Sequence, residues 1–471
     1  MRARTRAAVL AGKLARQATR SAGRGGTAIP GLLAERVAPE IVPQLAAELE
    51  TSVLVTGTNG KTTTARMLAG ILADDGRPLV HNRAGSNLIR GIAAALVEAA
   101  GPLGGLPAGS TGVFETDEAT IPRAAALIRP RALVITNLMR DQLDRYGEIE
   151  AVRGRWVEAI RALDRSSVLV LNADDPSVAT LAEYAPGPVV LFGIEDADAA
   201  LPAGADAEHA VDALWDATSG ADFIYERRFY AHLGHWYCPG VGRRRPAPDL
   251  AARAIDSHDP DAISFDLAEG QDALHAQRVR LPLVGLYNVY NALAATAAAR
   301  VLEVPFDVAT AALQRVEPAF GRQEELVVDG HTVRVLLGKN PAGMNEALRT
   351  LQRRGAGSPL HLLVLLNDRI ADGTDVSWIW DTDWESLGSL TQSVAVGGTR
   401  AADMALRLTY AGFPAPHLPS DDEGIGATLE AALERLPAGE PLVVLPTYTA
   451  LLEVRERLGR RAGARGIWEG A

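Results

Sequence analysis

One string constrains this 471-residue chain more than any other: Thr-Gly-Thr-Asn-Gly-Lys-Thr-Thr-Thr at positions 56–64. It follows the apolar run Ser52–Val55, which predicts a short buried strand, and it opens the helix-like stretch Thr62–Ala73. Glycines let such a loop curl until its N–H groups and the helix start face phosphate oxygens. The order of strand, loop and helix therefore predicts a phosphate-binding loop (P-loop) in an α/β sheet.

The loop residues have separate roles in this interpretation. Lys61 would bridge the β- and γ-phosphates of ATP, and Thr62 would offer its hydroxyl to Mg²⁺. The longer Walker A pattern needs a glycine where Val55 stands, so this is the shorter Gly-x-x-Gly-Lys-Thr form. The predicted ATP-binding residues of the loop are Gly57, Thr58, Asn59, Gly60, Lys61, Thr62 and Thr63.

Acidic side chains follow a second predicted strand. Glu115 ends the apolar run 112–115, and Asp117 and Glu118 come directly after it. Ligands of open α/β sheets bind at the carboxyl ends of the strands, and a phosphate-bound Mg²⁺ needs hard oxygen ligands. We therefore predict Thr62 and Glu115 as Mg²⁺ ligands. A solvated acidic loop is the alternative, and it applies more strongly to Asp117 and Glu118.

Amide and carboxylate side chains at two further places fit a nucleotide. The turn with Asn172 and Asp174 would hold a ribose hydroxyl, although an ordinary Asx-type cap fits nearly as well. Asn288 and Asn291 stand three residues apart on one helix face, where their amides would read an adenine edge.

The order of the predicted elements indicates the fold class. Short apolar runs alternate with helical stretches of 10–15 residues, which predicts an α/β chain with a parallel sheet covered on both faces. Residues 195–280 break this rhythm and are predicted to be an insertion, and a second α/β series begins near Val333. The expected units are a basic helical segment at 1–45, a central ATP-binding domain at 46–318 and a C-terminal Rossmann-like α/β domain at 319–471.

Composition and charge narrow the class of protein. The net charge of −11 argues against a nucleic-acid partner, and the single cysteine, Cys238, excludes an internal disulfide. The first 24 residues nevertheless carry seven basic and no acidic side chains, which predicts an amphipathic basic helix. It would either pack on the first domain or contact a membrane surface or a partner. No apolar run is long enough to span a bilayer, so we expect a cytoplasmic protein, peripheral to the membrane at most.

Lysine is scarce in this chain. Of 47 basic residues only Lys13, Lys61 and Lys339 are lysines, so arginine serves almost everywhere as the surface cation. A retained lysine is therefore expected where a compact, flexible ammonium is needed, although chance survival is the alternative.

Five strings in this order and spacing resemble the Mur ligase superfamily: TGTNGKTTT at 56–64, FETDEATIP at 114–122, RDQLDRYGE at 140–148, NADDP at 172–176 and YNVYNALAA at 287–295. Two further strings, KNPAGMN at 339–345 and NDRIADGTDVSWIWD at 367–381, are similar to the C-terminal domain of the MurT family. The resemblance covers nearly the whole chain. It implies a Mur ligase-like central P-loop domain with a small inserted β lobe, followed by the C-terminal α/β domain.

The resemblance also implies a reaction. ATP would phosphorylate the α-carboxylate of the D-glutamate in the stem peptide of lipid II, and ammonia would displace the phosphate to leave D-isoglutamine. Lys61 and a Mg²⁺ held by Thr62 and Glu115 would stabilise the transferring phosphoryl group. By the same resemblance Asn288 and Asn291 lie near adenine and Asn172 and Asp174 near ribose. Arg322 and Lys339 would reach the phosphates from the C-terminal domain.

Ammonia would come from a partner. Cys238 has no glutaminase-type sequence around it, so the chain lacks a credible glutaminase nucleophile. The resemblance implies a separate GatD-like glutaminase subunit, whose catalytic triad Asp375 of this chain would complete, with Asp372 as the alternative. The substrate, lipid II, would lie at the inner face of the membrane.

Two departures from relatives matter. Many relatives carry a four-cysteine zinc ribbon in the insertion, whereas residues 213–246 here keep only Cys238, so we predict no structural zinc. Amino-acid-adding Mur ligases use a carbamylated lysine, yet no lysine lies between Lys61 and Lys339, and Gln142 stands where those ligases commonly show histidine. Both the missing lysine and Gln142 favour ammonia as the nucleophile. The remaining alternatives are an amino-acid-adding Mur or folylpolyglutamate-type ligase and an ATP-binding scaffold.

Overall fold

The fold contains two main β-sheets with helices on both faces, and a small third sheet. The computed structural model describes residues 3–21, 29–82, 86–101, 104–141, 149–202, 212–216, 218–270, 275–317, 322–354, 359–418 and 424–462. The strands of the first part of the chain are β1 (Thr51–Thr56), β2 (Leu79–His81), β3 (Thr111–Glu115), β4 (Ala132–Ile135), β5 (Val168–Asn172), β6 (Val189–Ile194), β7 (Ile224–Tyr230), β8 (Leu233–Cys238), β9 (Arg243–Arg244), β10 (Leu250–Asp256), β11 (Ile263–Glu269) and β12 (Gln277–Leu281).

The large sheet has nine strands in the order β12-β11-β10-β6-β5-β4-β1-β3-β2. From β2 to β10 the neighbours are parallel, as expected from the alternating pattern of strands and helices. β11 pairs antiparallel with both β10 and β12, so the sheet is mixed rather than purely parallel. The carboxyl ends of β1, β3 and β4 lie side by side at the centre, which positions the P-loop between two neighbouring strand ends.

The predicted insertion at 195–280 is only partly an insertion. Residues 250–281 form three strands that extend the large sheet, and only β7, β8 and β9 make a separate three-stranded lobe. The sequence prediction was wrong here because β10 to β12 alternate polar and apolar residues in short runs, while the pattern followed elsewhere was the continuous apolar run of a strand buried on both faces.

Helices cover both faces of the large sheet. Successive residues of β1 alternate between two cores: Val53 and Val55 face one, and Leu54 faces the other. The helices of this part of the chain are α1 (Ala3–Ser21), α2 (Ile29–Val37), α3 (Ile41–Ala46), α4 (Lys61–Asp74), α5 (Ile89–Ala99), α6 (Ile121–Ile128), α7 (Ile149–Arg161), α8 (Pro176–Ala179), α9 (Leu286–Val301) and α10 (Phe306–Leu313), with 3₁₀ turns at Thr180–Tyr184 and Pro239–Val241.

The basic N-terminal helix forms as predicted and packs on the first domain. Ala8 and Val9 of α1 are fully buried against the core on the α5 side. Lys13 donates a hydrogen bond to the carbonyl of Ala100, just after α5 ends, and Arg16 pairs with Glu98. Two cations therefore lie at the carboxyl end of a neighbouring helix, where the helix dipole favours them.

The C-terminal sheet has five strands in the order β13-β14-β17-β15-β16. β13 pairs antiparallel with β14, and the other neighbours are parallel. Its elements are β13 (Arg322–Val328), β14 (His331–Leu336), α11 (Pro341–Arg354), β15 (Leu360–Leu365), a 3₁₀ turn (Ser377–Asp381), α12 (Glu385–Gly388), β16 (Thr391–Gly397), α13 (Ala401–Tyr410), α14 (Ile425–Glu434), β17 (Leu442–Pro446) and α15 (Tyr448–Ala462). Leu362 and Leu363 of β15 face opposite cores, so this sheet too is buried on both faces.

Among the described residues, none of the helices combines the length and the apolarity that a bilayer crossing requires. Residues 318–321, where the predicted domain boundary falls, and residues 142–148 of the RDQLDRYGE string lie outside the described residues.

Candidate functional site

The P-loop has the backbone geometry that its glycines predict. Gly57 has a φ of +130° and Gly60 a φ of +86°, which side chains other than glycine rarely adopt. Space excludes a side chain as well, because a Cβ on Gly60 would lie 2.0 Å from Oδ1 of Asn291. The loop therefore depends on glycine at both positions, and α4 begins directly at Lys61.

The end of β4 holds the P-loop in place. The Oδ1 atom of Asn137 accepts the N–H of Asn59 at 2.8 Å, and its Nδ2 donates to the Asn59 carbonyl at 3.0 Å. Thr136 donates its hydroxyl to the same carbonyl at 2.8 Å. These contacts fix the loop from the neighbouring strand. The sequence showed only that Asn137 ends a strand, and its supporting role depends on the strand order.

Lys61 is buried and forms an ion pair. Its Nζ lies 2.8 Å from Oε1 of Glu118 and 2.6 Å from the Gly57 carbonyl. Burial lowers the pKa of Lys61, but the charge and hydrogen bond of Glu118 together with the charges of Asp141 and Glu115 outweigh that effect, and the pKa is raised overall. Burial also raises the pKa of Glu118, against the opposing charge of Lys61. The sequence singled out Glu115 before Glu118, whereas the structure pairs Glu118 with the lysine.

Glu115, at the end of β3, lies close enough to Lys61 for its negative charge to act on the pKa of the lysine, and Thr62 follows Lys61 in α4. Glu115 is 4% exposed, and its carboxylate makes no hydrogen bond to any described residue. Its backbone is fixed by Asn82, which accepts the Glu115 N–H at 2.9 Å and donates to its carbonyl at 2.8 Å. A buried carboxylate without a donor is a suitable ligand for a hard cation such as Mg²⁺. The donor set therefore fits the predicted metal.

Asn288 and Asn291 line a cleft beside the P-loop at the start of α9. The Nδ2 atom of Asn291 donates to Oδ1 of Asn288 at 3.1 Å, and Thr64 donates to Asn291 at 3.2 Å. The cleft is also lined by Asn59, Gly60, Thr63, Tyr230, Tyr287, Lys339 and Asn340. The predicted adenine-reading amides and the P-loop thus share one cavity, as a nucleotide requires.

The C-terminal domain closes this cleft. Asn340 donates to Oδ1 of Asn59 at 3.0 Å, and Lys339 pairs with Asp141 of the central domain. Burial and the negative charges of Glu115 and Asp372 raise the pKa of Tyr448, at the start of α15. About 100 Å³ is open inside the cleft in this arrangement, which is less than small-molecule sites usually provide.

Asn172 and Asp174 are placed away from the cleft lining. Both are fully buried, and Asn172 donates to the Thr136 carbonyl at 3.0 Å. Asp174 accepts the hydroxyl of Tyr290 at 2.6 Å and pairs with Arg245 at 2.5 Å. Burial and the charge of Asp174 raise the pKa of Tyr290 well above 10. These contacts hold the lobe against α9, so the geometry favours the structural alternative over ribose binding.

The two aspartates predicted for the glutaminase triad, Asp375 and Asp372, differ in exposure and in hydrogen bonding. Asp375 is exposed, and only its Oδ1 is occupied, by the Ser377 N–H at 2.9 Å. Asp372 is buried, and both of its oxygens accept from Thr449, at the start of α15. Of these two candidates, Asp375 is therefore the one that a partner could reach. The side chain of Arg322 lies outside the described part of the chain.

The lobe is held by packing and one buried carboxylate. Phe223, Trp236 and the buried Cys238 form a small core, in which the rings of Phe223 and Trp236 meet edge to face. Asp216 accepts the Ser219 N–H at 2.8 Å and pairs with Arg243. Within the described residues, no group of three or more His, Cys, Asp or Glu side chains could hold a metal. The expectation that zinc is absent stays a prediction.

Known proteins with similar sequences and structures agree with this arrangement. The chain matches the Mur ligase middle domain over residues 55–214 and the MurT ligase C-terminal domain over residues 337–451. It is 33% identical to the lipid II isoglutaminyl synthase (glutamine-hydrolyzing) subunit MurT of Streptococcus pneumoniae strain R6, and the alignment covers 98% of both chains.

It is 30% identical to the subunit of the same name from Staphylococcus aureus strain COL, with 95% of this chain and 96% of that protein aligned. The MurF ligase of Thermotoga maritima, solved in complex with ADP, has the same fold at 15% identity: the TM-score is 0.61, and the match covers 91% of this chain and 85% of that one. Together with the P-loop and the closed cleft, these similarities show that the chain belongs to the MurT family of the Mur ligase superfamily.

Proposed function

We propose that this protein is the ATP-dependent synthetase subunit that amidates the α-carboxylate of D-glutamate in lipid II during peptidoglycan biosynthesis. The observation that carries the proposal is similarity over nearly the whole chain to two lipid II isoglutaminyl synthase subunits. The cleft beside the P-loop supports it, because Gly60, Asn291 and Lys339 line this cleft and Lys61 directly follows Gly60.

The chemistry divides into two steps. A carboxylate oxygen attacks the γ-phosphorus of ATP, ADP leaves, and an acyl phosphate forms. Ammonia then attacks the acyl carbon, the carbon–oxygen bond to phosphate breaks, and the nitrogen loses a proton. Lys61 would move from Glu118 to the β- and γ-phosphates, where its charge offsets the developing negative charge. Mg²⁺, held by Thr62 and Glu115, would polarise the same phosphates.

Asn288 and Asn291 would bind adenine, and Lys339 would exchange Asp141 for a phosphate oxygen when ATP enters the cleft. Asn172 and Asp174 contribute through the packing of the lobe in this proposal. Arg322 is retained as a phosphate-binding candidate because β13 starts at that residue, in the domain that closes the cleft.

The ammonia would come from a GatD-like glutaminase bound at the exposed segment around Asp375. Three apolar side chains are exposed near that segment: Ile370 at 84%, Tyr410 at 73% and Trp380 at 45%. The rings of Trp380 and Tyr410 meet at 5.7 Å, and exposed aromatic clusters of this kind are typical of interface hot spots. In this complex Asp375 would orient the glutaminase histidine.

We further propose a cytoplasmic protein that binds the inner face of the membrane through α1 and α2. α1 has a second apolar face: Leu10 is 50% and Leu14 is 67% exposed, one turn apart. Ile29 and Leu33 repeat this spacing on α2, at 48% and 37% exposed. Apolar side chains beside a run of basic residues favour an anionic bilayer surface, where the substrate is anchored.

One reconstitution tests the function. The purified chain is incubated with lipid II, ATP and Mg²⁺, with ammonium chloride or with glutamine plus a GatD-like subunit, and the stem peptide is analysed by mass spectrometry. We expect the amide in both reactions, and with glutamine only when the second subunit is present. Incorporation of an amino acid instead would identify the amino-acid-adding alternative, and absence of ATP turnover with lipid II would contradict the proposal.

A further inference from the structure

A second cavity lies at the same edge of the large sheet as the P-loop, outside the nucleotide cleft. Its volume is about 610 Å³, within the range of small-molecule sites. Its walls are the outer face of α2, the start of α5 and the start of α6. We call it the arginine groove, because Arg36, Arg90 and Arg123 line it, one from each of these three helices.

The groove is built by a close approach of two helices. A Cβ on Gly31 of α2 would lie 1.9 Å from the carbonyl oxygen of Arg90, so α2 can touch the backbone of α5 only because residue 31 is glycine. That contact brings Arg36, just over one turn further along α2, to the same cavity as Arg90. Pro39, Leu88 and Ile89 add apolar wall, which lowers the local dielectric.

The groove carries an uncompensated positive charge. Arg36 and Arg90 are exposed and make no ion pair with any described residue. Arg123 is paired only loosely, at 3.8 Å from Glu35, which is the one acidic residue among the described residues that line the groove. Asp117 lies nearby, but its Oδ1 accepts the N–H of Ala119. Three guanidinium groups against one lining carboxylate, in a chain with a net charge of −11, are suited to a ligand with at least two negative charges.

The groove lies between the segment that carries Glu118 and the proposed membrane-binding surface. Ala119 and Thr120 of its wall directly follow Glu118, the partner of Lys61. On its other side, Arg36 shares a face of α2 with the exposed Ile29 and Leu33, at a spacing of four and then three residues. An anion bound here would lie between the exposed apolar side chains of α2 and the segment that directly follows Glu118.

We infer that the arginine groove binds the diphosphate group that links the sugar of the substrate to its lipid. A diphosphate is the charged group that such a molecule places at the boundary between membrane and water, and arginine forks bind phosphate oxygens in pairs. The identity of the ligand rests on the proposed function. The binding of a diphosphate by these arginines does not depend on the proposed function. The diphosphate site and the proposed function can therefore be refuted separately.

The test compares two triple variants. The groove variant removes the three positive charges of the groove and carries Arg36→Ala/Arg90→Ala/Arg123→Ala. The control variant removes three positive charges from exposed arginines elsewhere and carries Arg155→Ala/Arg165→Ala/Arg435→Ala. Each full-length protein is saturated with a non-hydrolysable ATP analogue and Mg²⁺ and then titrated with inorganic pyrophosphate by calorimetry. We expect the wild type and the control to bind pyrophosphate, and the groove variant to bind it at least about tenfold more weakly.

Amidation with ammonium then identifies the source of the diphosphate. With lipid II, the groove variant should raise KM about tenfold and leave kcat within about twofold. With the same sugar–peptide lacking its diphosphate and lipid, the two proteins should have equal KM values. A triple Arg→Lys variant should recover part of the affinity, because the charge remains while the paired geometry is lost.

Equal pyrophosphate affinity in the wild type and the groove variant would overturn the inference. So would a KM for lipid II that the groove variant leaves unchanged. If the wild type amidates neither substrate, the proposed function fails, while the calorimetry still decides whether the groove binds a diphosphate.

Discussion

At the scale of single residues, the retained lysines separate into different roles. Lys61 is buried among the P-loop carbonyls and Glu118, Lys339 pairs with Asp141 across the cleft, and Lys13 binds a carbonyl at the end of α5. Only the first two have surroundings in which an ammonium is hard to replace, because a guanidinium is larger and planar. Scarcity of lysine in the sequence therefore pointed to the site in two of three cases.

Lys61→Arg is the sharpest test of this distinction. The charge is kept, but the guanidinium cannot fit among the carbonyls of Gly57 and Thr58, so we expect ATP-dependent amidation to fall by at least about 100-fold. Lys13→Arg is the matched control and should keep nearly full activity, because an arginine can also bind the Ala100 carbonyl. An active Lys61→Arg variant would contradict the role given to the ammonium.

Asp375 and Asp372 are distinguished by a second pair of variants. Asp375→Asn should abolish glutamine-driven amidation in the two-subunit complex and spare amidation driven by ammonium, because the residue acts on the partner's histidine. Asp372→Asn removes the carboxylate that accepts hydrogen bonds from Thr449, and should lower the free energy of unfolding by roughly 1–3 kcal/mol. If the Asp375 variant retains glutamine-driven activity, the assignment to the glutaminase triad is wrong.

At the scale of elements, the lobe around β7, β8 and β9 shows how the small sheet is held. Burial alone would raise the pKa of Asp216, but hydrogen bonds from Ser219 and the charge of Arg243 lower it below its usual value of 3.8. A depressed carboxyl pKa means that the folded lobe holds the proton more weakly than the unfolded lobe. The stabilisation is therefore present above pH 3.8 and is lost as the pH falls through the lower, folded value.

Asp216→Asn should accordingly weaken the lobe in a pH-dependent way. Amide exchange of residues 212–244 at pH 7 should report a local opening free energy lower by about 1–3 kcal/mol than in the wild type. Below pH 3.8 the difference should shrink, and it should disappear once the pH falls below the lower pKa of the folded lobe, because the wild-type carboxyl is then uncharged in both states. A difference that stays constant from pH 7 to pH 3 would show that the charge of Asp216 does not stabilise the lobe.

Treatment with a chelator tests separately the prediction that this lobe holds no structural zinc. Cys238 donates weakly to the Ala221 carbonyl at 3.6 Å, and His235 contacts the Ile194 carbonyl at 2.9 Å, so neither side chain is positioned as part of a ligand set. Incubation with a chelator should leave the exchange of the lobe unchanged. Stoichiometric zinc by elemental analysis would contradict this expectation.

At the scale of the whole molecule, polar contacts around the nucleotide cleft join the central and C-terminal parts of the chain. Lys339 pairs with Asp141, Asn340 binds Asn59 and Arg140 lies 3.1 Å from Asp381. Oδ1 of Asp141 is buried and has no hydrogen-bond partner among the described residues. The closed arrangement thus depends on Lys339 to compensate a buried carboxylate, and the same lysine is the one expected to bind phosphate.

A double-mutant cycle separates these two roles of Lys339. Lys339→Met leaves Asp141 uncompensated, so we expect a loss of about 1–3 kcal/mol in stability together with a large loss of amidation. Adding Asp141→Asn should restore much of the stability, because the buried charge is gone, but none of the activity. Recovery of activity in the double variant would show that Lys339 does not reach the phosphates.

Local patterns in the sequence were sufficient for much of the fold and part of the site. The apolar runs at 52–55 and 112–115 identified β1 and β3 to within one residue at each end, and the second α/β series was expected to begin near Val333, which lies in β14. The P-loop was recognisable because a strand, two glycines and a lysine follow one another within ten consecutive residues, 52–61. Asn288 and Asn291 were recognisable because helix geometry alone puts residues three apart on one face.

Only the tertiary structure showed which side chains that are distant in sequence lie in contact. Lys61 forms its ion pair with Glu118 rather than with Glu115. Asp174 accepts a hydrogen bond from Tyr290 and does not line the cleft, and Asp372 accepts hydrogen bonds from Thr449. The arginine groove joins three helices whose arginines are 33 and 54 residues apart in the chain (positions 36, 90 and 123). Contacts of this kind depend on strand order and helix packing, which periodicity along a chain does not encode.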